Sequence, residues 1–171
     1  MAEAEQEKKV WTWEMLESGV EGPPITTEIT RESIADYARS VQNTNPIYFD
    51  DEAAKAEGYD SVVAAPTMVL AFSPQARWEL FNYKGYVSPE QGDEPRSTPF
   101  VGVEILFQGV PVYPGDTITS VTSIDRKWES RSGNKFASYR VIGHNQRGEK
   151  VSEYLYNTLW EYARGQKTRK S

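Results

Sequence analysis

Apolar residues in the first third of the chain recur at the spacing of an α-helix. The positions i, i+3, i+4 and i+7 of one stretch are all apolar or aromatic: Ile34, Tyr37, Ala38 and Val41. Thr30 precedes them with a hydroxyl of the kind that caps helix starts. Asn45 and Pro46 follow them, and a proline disfavours helical geometry in the residue before it. The pattern therefore predicts a helix that begins at Thr30 and ends near Gln42.

Two more helices are predicted before the middle of the chain. Residues 50–57 form a short helical pattern that Gly58 would end, since glycine adopts the backbone angles of a helix terminus. Residues 68–81 form a longer pattern, with Pro66 at a position suited to a first turn. This longer pattern is apolar on most sides. We therefore expect one continuous central helix that another part of the chain wraps.

The second half of the chain alternates between apolar and polar residues with the period of a β-strand. The alternating stretches are residues 101–107, 118–124, 136–142 and 154–160. Turn-forming residues separate these four stretches at 114–116, 131–134 and 145–148, and such short loops favour antiparallel neighbours. A loop rich in Gly, Pro, Ser and Glu at residues 83–99 divides helices from strands. These features predict an α+β fold.

The limits of the chain and its composition restrict the function. We expect a polar N-terminal tail at 1–12, a single domain at 13–162 and a basic C-terminal tail at 163–171. The sequence has no Cys and one His, His144, which excludes disulfides, thiol nucleophiles and sites with two histidines within these 171 residues. We expect neither a metal nor a cofactor.

Charge and hydropathy give further expectations. The net charge of -6 argues against a general nucleic-acid binder, whose surface would be basic. The longest apolar-leaning run, residues 62–72, is too short to span a bilayer, and the polar N-terminus lacks the core of a signal peptide. We therefore expect a cytoplasmic protein with no membrane span.

Two stretches, residues 29–68 and 103–118, resemble a known family. The motifs are Asn-Pro after a helix, Ala-Pro-Thr before a helix, and Pro-Val-Tyr-Pro-Gly-Asp at 111–116. Together they are similar to the MaoC-like (R)-specific enoyl-thioester hydratases and dehydratases, and most similar to the fatty-acid-synthase-like dehydratase N-terminal domain. That branch includes the substrate-binding subunit of mycobacterial hydroxyacyl-carrier-protein dehydratases. The resemblance implies the hot-dog fold, in which an antiparallel sheet wraps a long central helix.

The family's catalytic loop reads Asp-x-Asn-Pro-x-His, and here it departs from that pattern. Asn43 stands at the Asp position and Tyr48 at the His position. An amide accepts no proton at pH 7, and a tyrosine hydroxyl ordinarily ionises near pH 10. We therefore predict that the chain has no catalytic residue of its own. A structural interpretation also fits, in which Asn43 caps a helix end and Tyr48 packs beneath the loop.

The resemblance also implies a binding site for the substrate. In the family a backbone N–H at the start of the central helix stabilises the thioester oxygen, and this position falls at Ala65. Pro66 has no N–H to offer. We predict Asn45, Ala65 and Thr67 as substrate-binding residues.

Other polar residues are more simply explained by structure. Asp50 and Asp51 would complement the dipole of the short helix rather than act as a displaced base. Glu79 is a candidate thioesterase base, but an exposed helix turn explains it better. His144 lies at the edge of a predicted turn, where we expect a surface histidine.

Three functions remain after these observations. The preferred hypothesis is a catalytically degenerate, substrate-binding subunit whose hot-dog partner carries Asp-x-Asn-Pro-x-His and whose substrate is a long or bulky acyl-CoA or acyl-carrier-protein thioester, with a steroid side chain as one case. The second is a homo-oligomeric acyl-CoA binding module without catalysis. The third is an autonomous thioesterase, or a hydratase that uses Tyr48.

Overall fold

An antiparallel sheet of five strands forms one layer of the molecule. The computed structural model describes residues 8–165, and the remaining tail residues lie outside that range. The strands are β1 (Ile25–Glu28), β2 (Phe100–Ile105), β3 (Thr117–Glu129), β4 (Lys135–His144) and β5 (Lys150–Glu161). Their order across the sheet is β1-β3-β4-β5-β2, and every pairing is antiparallel. The predicted α+β class is confirmed.

The four strands predicted from alternation are all present, and the structure adds a fifth. Strand β1 has only four residues and pairs with β3, from Ile25 opposite Ser120 to Glu28 opposite Thr117. A stretch this short carries too little alternation to be recognised from sequence. Its identity as a strand depends on a partner about ninety residues away in the chain.

The first two helices follow the prediction closely. Helix α1 (Arg31–Ser40) begins after Thr30, whose hydroxyl accepts the Ser33 N–H, while the Ser33 hydroxyl accepts the Thr30 N–H. This reciprocal capping satisfies two backbone donors at the helix start. Helix α2 (Asp51–Ala56) is followed by Gly58, whose φ of +89° is of the kind that glycine adopts without strain.

The central helix is not continuous, which corrects the prediction for residues 68–81. A 3₁₀ turn (Pro66–Met68) leads into α3 (Val69–Phe72), and α4 (Arg77–Tyr83) begins only after a break. Pro74 causes this break, because it has no N–H to donate and it forces the preceding residue out of helical geometry. Ser73 accordingly has φ -133° and ψ 67°.

Side chains of the sheet bind the backbone groups near the break. The Tyr154 hydroxyl donates to the Ser73 carbonyl oxygen at 2.6 Å, and the Ala76 N–H donates to the Thr122 hydroxyl at 2.9 Å. Buried backbone groups without partners are costly, so these bonds make the interruption compatible with a buried position. The sheet therefore wraps a helix in two pieces.

The two pieces of the helix belong to different apolar cores. Helix α3 packs in a core with residues of α1 and of the sheet, among them Ile34, Val69, Phe72, Val141 and Tyr154. Helix α4 packs in an aromatic core that is formed by Trp11, Leu16, Leu80, Phe81, Ile124, Ala137, Tyr139 and Trp160.

The packed region begins before the predicted domain boundary at residue 13. Trp11 is 5% exposed and stacks on Phe81 with ring centroids 5.1 Å apart. The backbone N–H of Trp11 also donates to the carbonyl of Val87, in the loop that follows α4. The predicted tail at 1–12 therefore includes a core residue, because Trp11 has an aromatic partner that only the folded chain brings close. Residues 1–7 and 166–171 of the two predicted tails lie outside the described residues.

The predicted loop at 83–99 forms no helix or strand after Tyr83, which is the last residue of α4. A largely buried ion pair connects the loop to α4: the Arg77 guanidinium lies 2.9 Å from the Glu90 carboxylate. Arg77 also donates to the Thr98 hydroxyl at 2.7 Å. Within residues 8–165 there is no helix long and apolar enough to cross a membrane.

Candidate functional site

A cavity of about 450 Å³ lies beside α3, under the segment that follows β2. Its lining residues are mostly apolar: Ile47, Tyr48, Tyr59, Val63, Ala64, Ala65, Pro66, Val69, Phe72, Ile105, Leu106, Phe107, Gln108, Gly109, Val110, Pro111, Val112 and Val151. Its size and its lining are typical of a site for a small apolar ligand.

The residues that line the cavity differ in exposure. Leu106 and Phe107 are 49% and 64% exposed, and they form an apolar rim that is open to solvent. Val69, Phe72 and Val151 are buried. The cavity therefore has an exposed apolar rim and a buried wall, to which the end of α3 and the start of β5 contribute.

Tyr48 is the side chain at the family's His position, and it lies in the wall of the cavity. It belongs to a 3₁₀ turn (Pro46–Tyr48) and is 8% exposed. No hydrogen bond to its hydroxyl occurs among residues 8–165. A phenol at this position can donate or accept a hydrogen bond to a ligand, but it does not replace the acid-base function of an imidazole.

Asn43 shapes the turn and is not among the cavity residues. Its side-chain oxygen accepts the Asn45 N–H at 3.1 Å, and its own N–H donates to the Ala38 carbonyl at 2.8 Å. The Asn45 side chain accepts the Ile47 N–H at 3.2 Å. These bonds agree with the structural interpretation of Asn43, because a carboxamide oxygen that accepts a backbone N–H stabilises a turn.

The predicted substrate-binding residues separate into two groups. Ala65 is buried in the cavity wall, whereas Asn45 and Thr67 are exposed and are not among the lining residues. The Ala64 N–H donates to the Val112 carbonyl at 2.8 Å, which holds the segment before the helix against the loop after β2. No acceptor for the Ala65 N–H itself occurs within residues 8–165. The structure thus brings Ala65 and Tyr48 to one cavity, and the substrate-binding roles stay predictions.

Asp116 anchors the loop that closes one side of the cavity. Its carboxylate accepts the Tyr113 N–H at 2.9 Å, the Gln146 amide at 2.8 Å and the Arg147 guanidinium at 2.9 Å. Burial alone would raise the pKa of Asp116, but these three donors outweigh burial and lower it. The Pro-Gly-Asp motif is therefore a turn whose aspartate holds the loop, and Gly115 supplies the required φ of +90°.

The other polar candidates have structural roles. The Asp50 side chain caps α2 by accepting the Ala53 N–H. Asp51 accepts the Val62 N–H and pairs with Arg31 at 2.7 Å, and these two donors lower the pKa of Asp51. Glu79 and His144 are exposed and lie outside the cavity wall. No cluster of metal-binding side chains occurs in the described part of the chain.

Sequence reasoning missed most of the apolar cavity wall. Phe72 and Val151 are about eighty residues apart in the chain, and nothing in their local pattern distinguishes a cavity residue from a core residue. Gln108 and Phe107 follow a strand whose alternation predicted only more strand. The signal available in the sequence was Gly109, since a glycine ends the alternation. In the structure Gly109 has a φ of +72°.

Comparison with known proteins agrees with this geometry. Residues 17–154 match the model of the FAS1-like dehydratase domain region. A UPF0336 protein of Streptomyces avermitilis is 36% identical over 129 residues, which cover 75% of this chain and 81% of that protein.

Solved structures give the same fold. The C-terminally truncated HadBC (3R-hydroxyacyl-ACP dehydratase) complex from Mycobacterium tuberculosis matches with a TM-score of 0.62 and 25% identity, over 83% of this chain and 98% of that chain. A MaoC-like dehydratase from Rhodospirillum rubrum matches with a TM-score of 0.63 and 18% identity, over 93% of this chain and 97% of that chain. The chain therefore belongs to the FAS1-like dehydratase-region family and has the hot-dog fold of the MaoC-like dehydratases.

Proposed function

We propose that this chain is the substrate-binding, catalytically degenerate subunit of a heteromeric enoyl-thioester hydratase or 3-hydroxyacyl-thioester dehydratase of the cytoplasm. One observation carries the proposal: none of the eighteen described cavity residues is an Asp, a Glu or a His. Hydration across a conjugated double bond needs a base to activate water and an acid to protonate the adjacent carbon. A partner hot-dog subunit with Asp-x-Asn-Pro-x-His supplies both groups.

The ligand follows from the chemistry of the cavity. Apolar walls that include the buried residues Phe72 and Val151 accept an acyl chain or another bulky hydrocarbon, such as a steroid side chain. The Ala65 N–H at the wall provides a donor for the thioester carbonyl. Tyr48 adds a hydroxyl beside it. The polar carrier, coenzyme A or a carrier protein, extends from the side of the cavity where the rim lies.

The edge of the sheet supports the assembly with a partner. Strand β2 is an edge strand, and four of the exposed large apolar side chains lie on it or directly after it: Phe100, Val101, Leu106 and Phe107. An exposed edge with apolar side chains is a template for pairing with another chain. The HadBC dehydratase, to which this chain is similar, is itself a complex.

The test is to assay hydration of trans-2-enoyl-CoA esters by this chain alone, by a candidate hot-dog partner alone and by the two purified together. We expect the chain alone to bind these esters without hydrating them, and the complex to be more active on long substrates than the partner alone. Turnover by the chain alone at a rate typical of enzymes, about 1 per second or more, would overturn the proposal.

A homo-oligomeric acyl-CoA binding module is the second candidate. The same lack of an acid-base pair in the cavity wall favours it. The two candidates differ in assembly: a binding module forms oligomers of one chain and keeps them when the hot-dog partner is added. Formation of a complex that contains both this chain and the hot-dog partner would exclude the binding module.

A further inference from the structure

Two buried serines join the residues that form the inner wall of the cavity. The Ser152 hydroxyl donates to the Ser73 hydroxyl oxygen at 2.8 Å, and both residues are at most 1% exposed. Ser73 directly follows Phe72, and Ser152 directly follows Val151. Phe72 and Val151 both line the cavity. The hydrogen bond therefore joins the two residues that directly follow the wall residues Phe72 and Val151 in the chain.

Gly143 leaves this pair no free space on the sheet side. It lies opposite Ser152 in the β4–β5 pairing. A Cβ at residue 143 would lie 2.3 Å from the Ser152 hydroxyl oxygen and 2.6 Å from that of Ser73. Both distances are below van der Waals contact, so the two hydroxyls fill the room that the missing side chain leaves. Neither serine can move towards the sheet.

A second bond fixes the other side of Ser73. Its carbonyl accepts the Tyr154 hydroxyl, and burial raises the pKa of Tyr154, so this hydroxyl remains a donor. Ser73 is thus held through its side chain and its backbone at the point where Pro74 ends α3. Phe72, the last residue of α3, directly precedes this doubly held residue.

We propose that the Ser73–Ser152 hydrogen bond, packed against Gly143, positions Phe72 and Val151 in the buried wall of the cavity and so limits the length of the acyl chain that it accepts. This inference rests on the proposed acyl-thioester ligand. Ser73 and Ser152 are positioning residues that do not line the cavity. Phe72 and Val151 are 4% and 6% exposed, so the part of the cavity wall that they form is buried.

The test is the double variant Ser73→Ala/Ser152→Ala. It removes both hydroxyls together, so neither is left buried without a partner. The two missing oxygens leave space beside Gly143 into which the wall residues retreat. Binding of trans-2-enoyl-CoA esters of increasing length is measured by calorimetry on the full chain. We expect the first ester that is too long for the unaltered protein to bind about tenfold more tightly, as two additional buried methylenes would allow.

Thr158→Val is the matched control. Thr158 is also fully buried on β5, and its hydroxyl lies 3.4 Å from the Ala137 carbonyl oxygen, away from the cavity. We expect this variant to keep the original length limit. A length limit that is unchanged in a folded double variant would overturn the inference. Should the double variant not fold, Ser152→Ala alone is measured in the same way, with the same two outcomes.

Failure of the proposed function gives a different result. If the unaltered protein binds no enoyl-CoA ester of any length, both the proposed function and the proposed length limit are wrong. If it binds the esters but the double variant does not shift the length limit, only the positioning role of the serines is wrong. A crystal structure of the double variant supplies a readout that needs no ligand: a distance between Phe72 and Val151 that does not change contradicts the role of the serines.

Discussion

The hydroxyl of Tyr154 lies 2.6 Å from the carbonyl oxygen of Ser73, to which it donates a hydrogen bond. Tyr154 stands in the middle of β5, and Ser73 stands where the central helix stops. The bond joins the sheet to the interruption of the helix that it wraps. It gives a partner to a carbonyl that would otherwise be buried at a helix end without one.

Removal of this hydroxyl should destabilise the protein. In Tyr154→Phe the ring still fills its space, but the Ser73 carbonyl loses its donor, so we expect a loss of about 1–3 kcal/mol in the free energy of unfolding. Urea unfolding followed by tryptophan fluorescence measures it. Tyr162→Phe is the control, since Tyr162 is exposed and should change little. Equal stability of the two variants would show that the bond contributes nothing measurable.

Restoration of the acid-base pair should create hydratase activity in this chain. In Asn43→Asp/Tyr48→His, the new carboxylate can still accept the Asn45 N–H that Asn43 binds, so the turn is preserved. General acid-base catalysis typically contributes about 100-fold or more, and we expect a gain of at least about tenfold in hydration of a short enoyl-CoA. Asn43→Asp alone is the control and should remain inactive. A folded double variant that binds the ester without any gain would contradict this interpretation of the loop.

A charge at the sheet edge should block assembly with the partner. Val101 lies on the edge strand β2 and is 49% exposed. Val101→Glu places a carboxylate in the apolar edge, where its desolvation would oppose pairing, and we expect at least about a tenfold loss of partner affinity. Size-exclusion chromatography of the mixture measures it. Val41→Glu is matched, because Val41 is also 49% exposed but follows α1. Equal losses in both variants would place the interface elsewhere.

The stability that Asp116 contributes should depend on pH. Its pKa is lowered in the folded protein, so the charged form stabilises the fold above the unfolded value and loses this effect as pH falls through the folded value. We expect Asp116→Asn to cost about 2 kcal/mol near neutral pH, and the cost to shrink below about pH 4. Urea unfolding at several pH values measures this difference.

Asp36→Asn is the control for that series. Asp36 pairs with Arg39 at 2.9 Å, but both side chains are largely exposed, and such pairs contribute little. We expect almost no change at any pH. A cost of Asp116→Asn that is constant down to acid pH would contradict the role of the carboxylate charge.

Local patterns in the sequence determined most of the secondary structure. Helix α1 and its cap at Thr30, the end of α2 before Gly58 and the four longer strands all follow from periodicity and from residues whose preferences act over a few positions. The departures from the family's catalytic motif at Asn43 and Tyr48 could also be recognised from the sequence, because the motif has a fixed spacing.

Tertiary structure decided what depends on distant partners. Pro74 was visible in the sequence, but the helix break became tolerable only because Tyr154 and Thr122 reach its backbone groups from the sheet. The burial of Trp11 needed Phe81, and strand β1 needed β3. The cavity wall depended on bringing Phe72 and Val151, which are far apart in the chain, to one cavity. Close packing is a property of residues that meet in space, so periodicity along the chain predicts which faces are apolar but not which apolar residues leave room for a ligand.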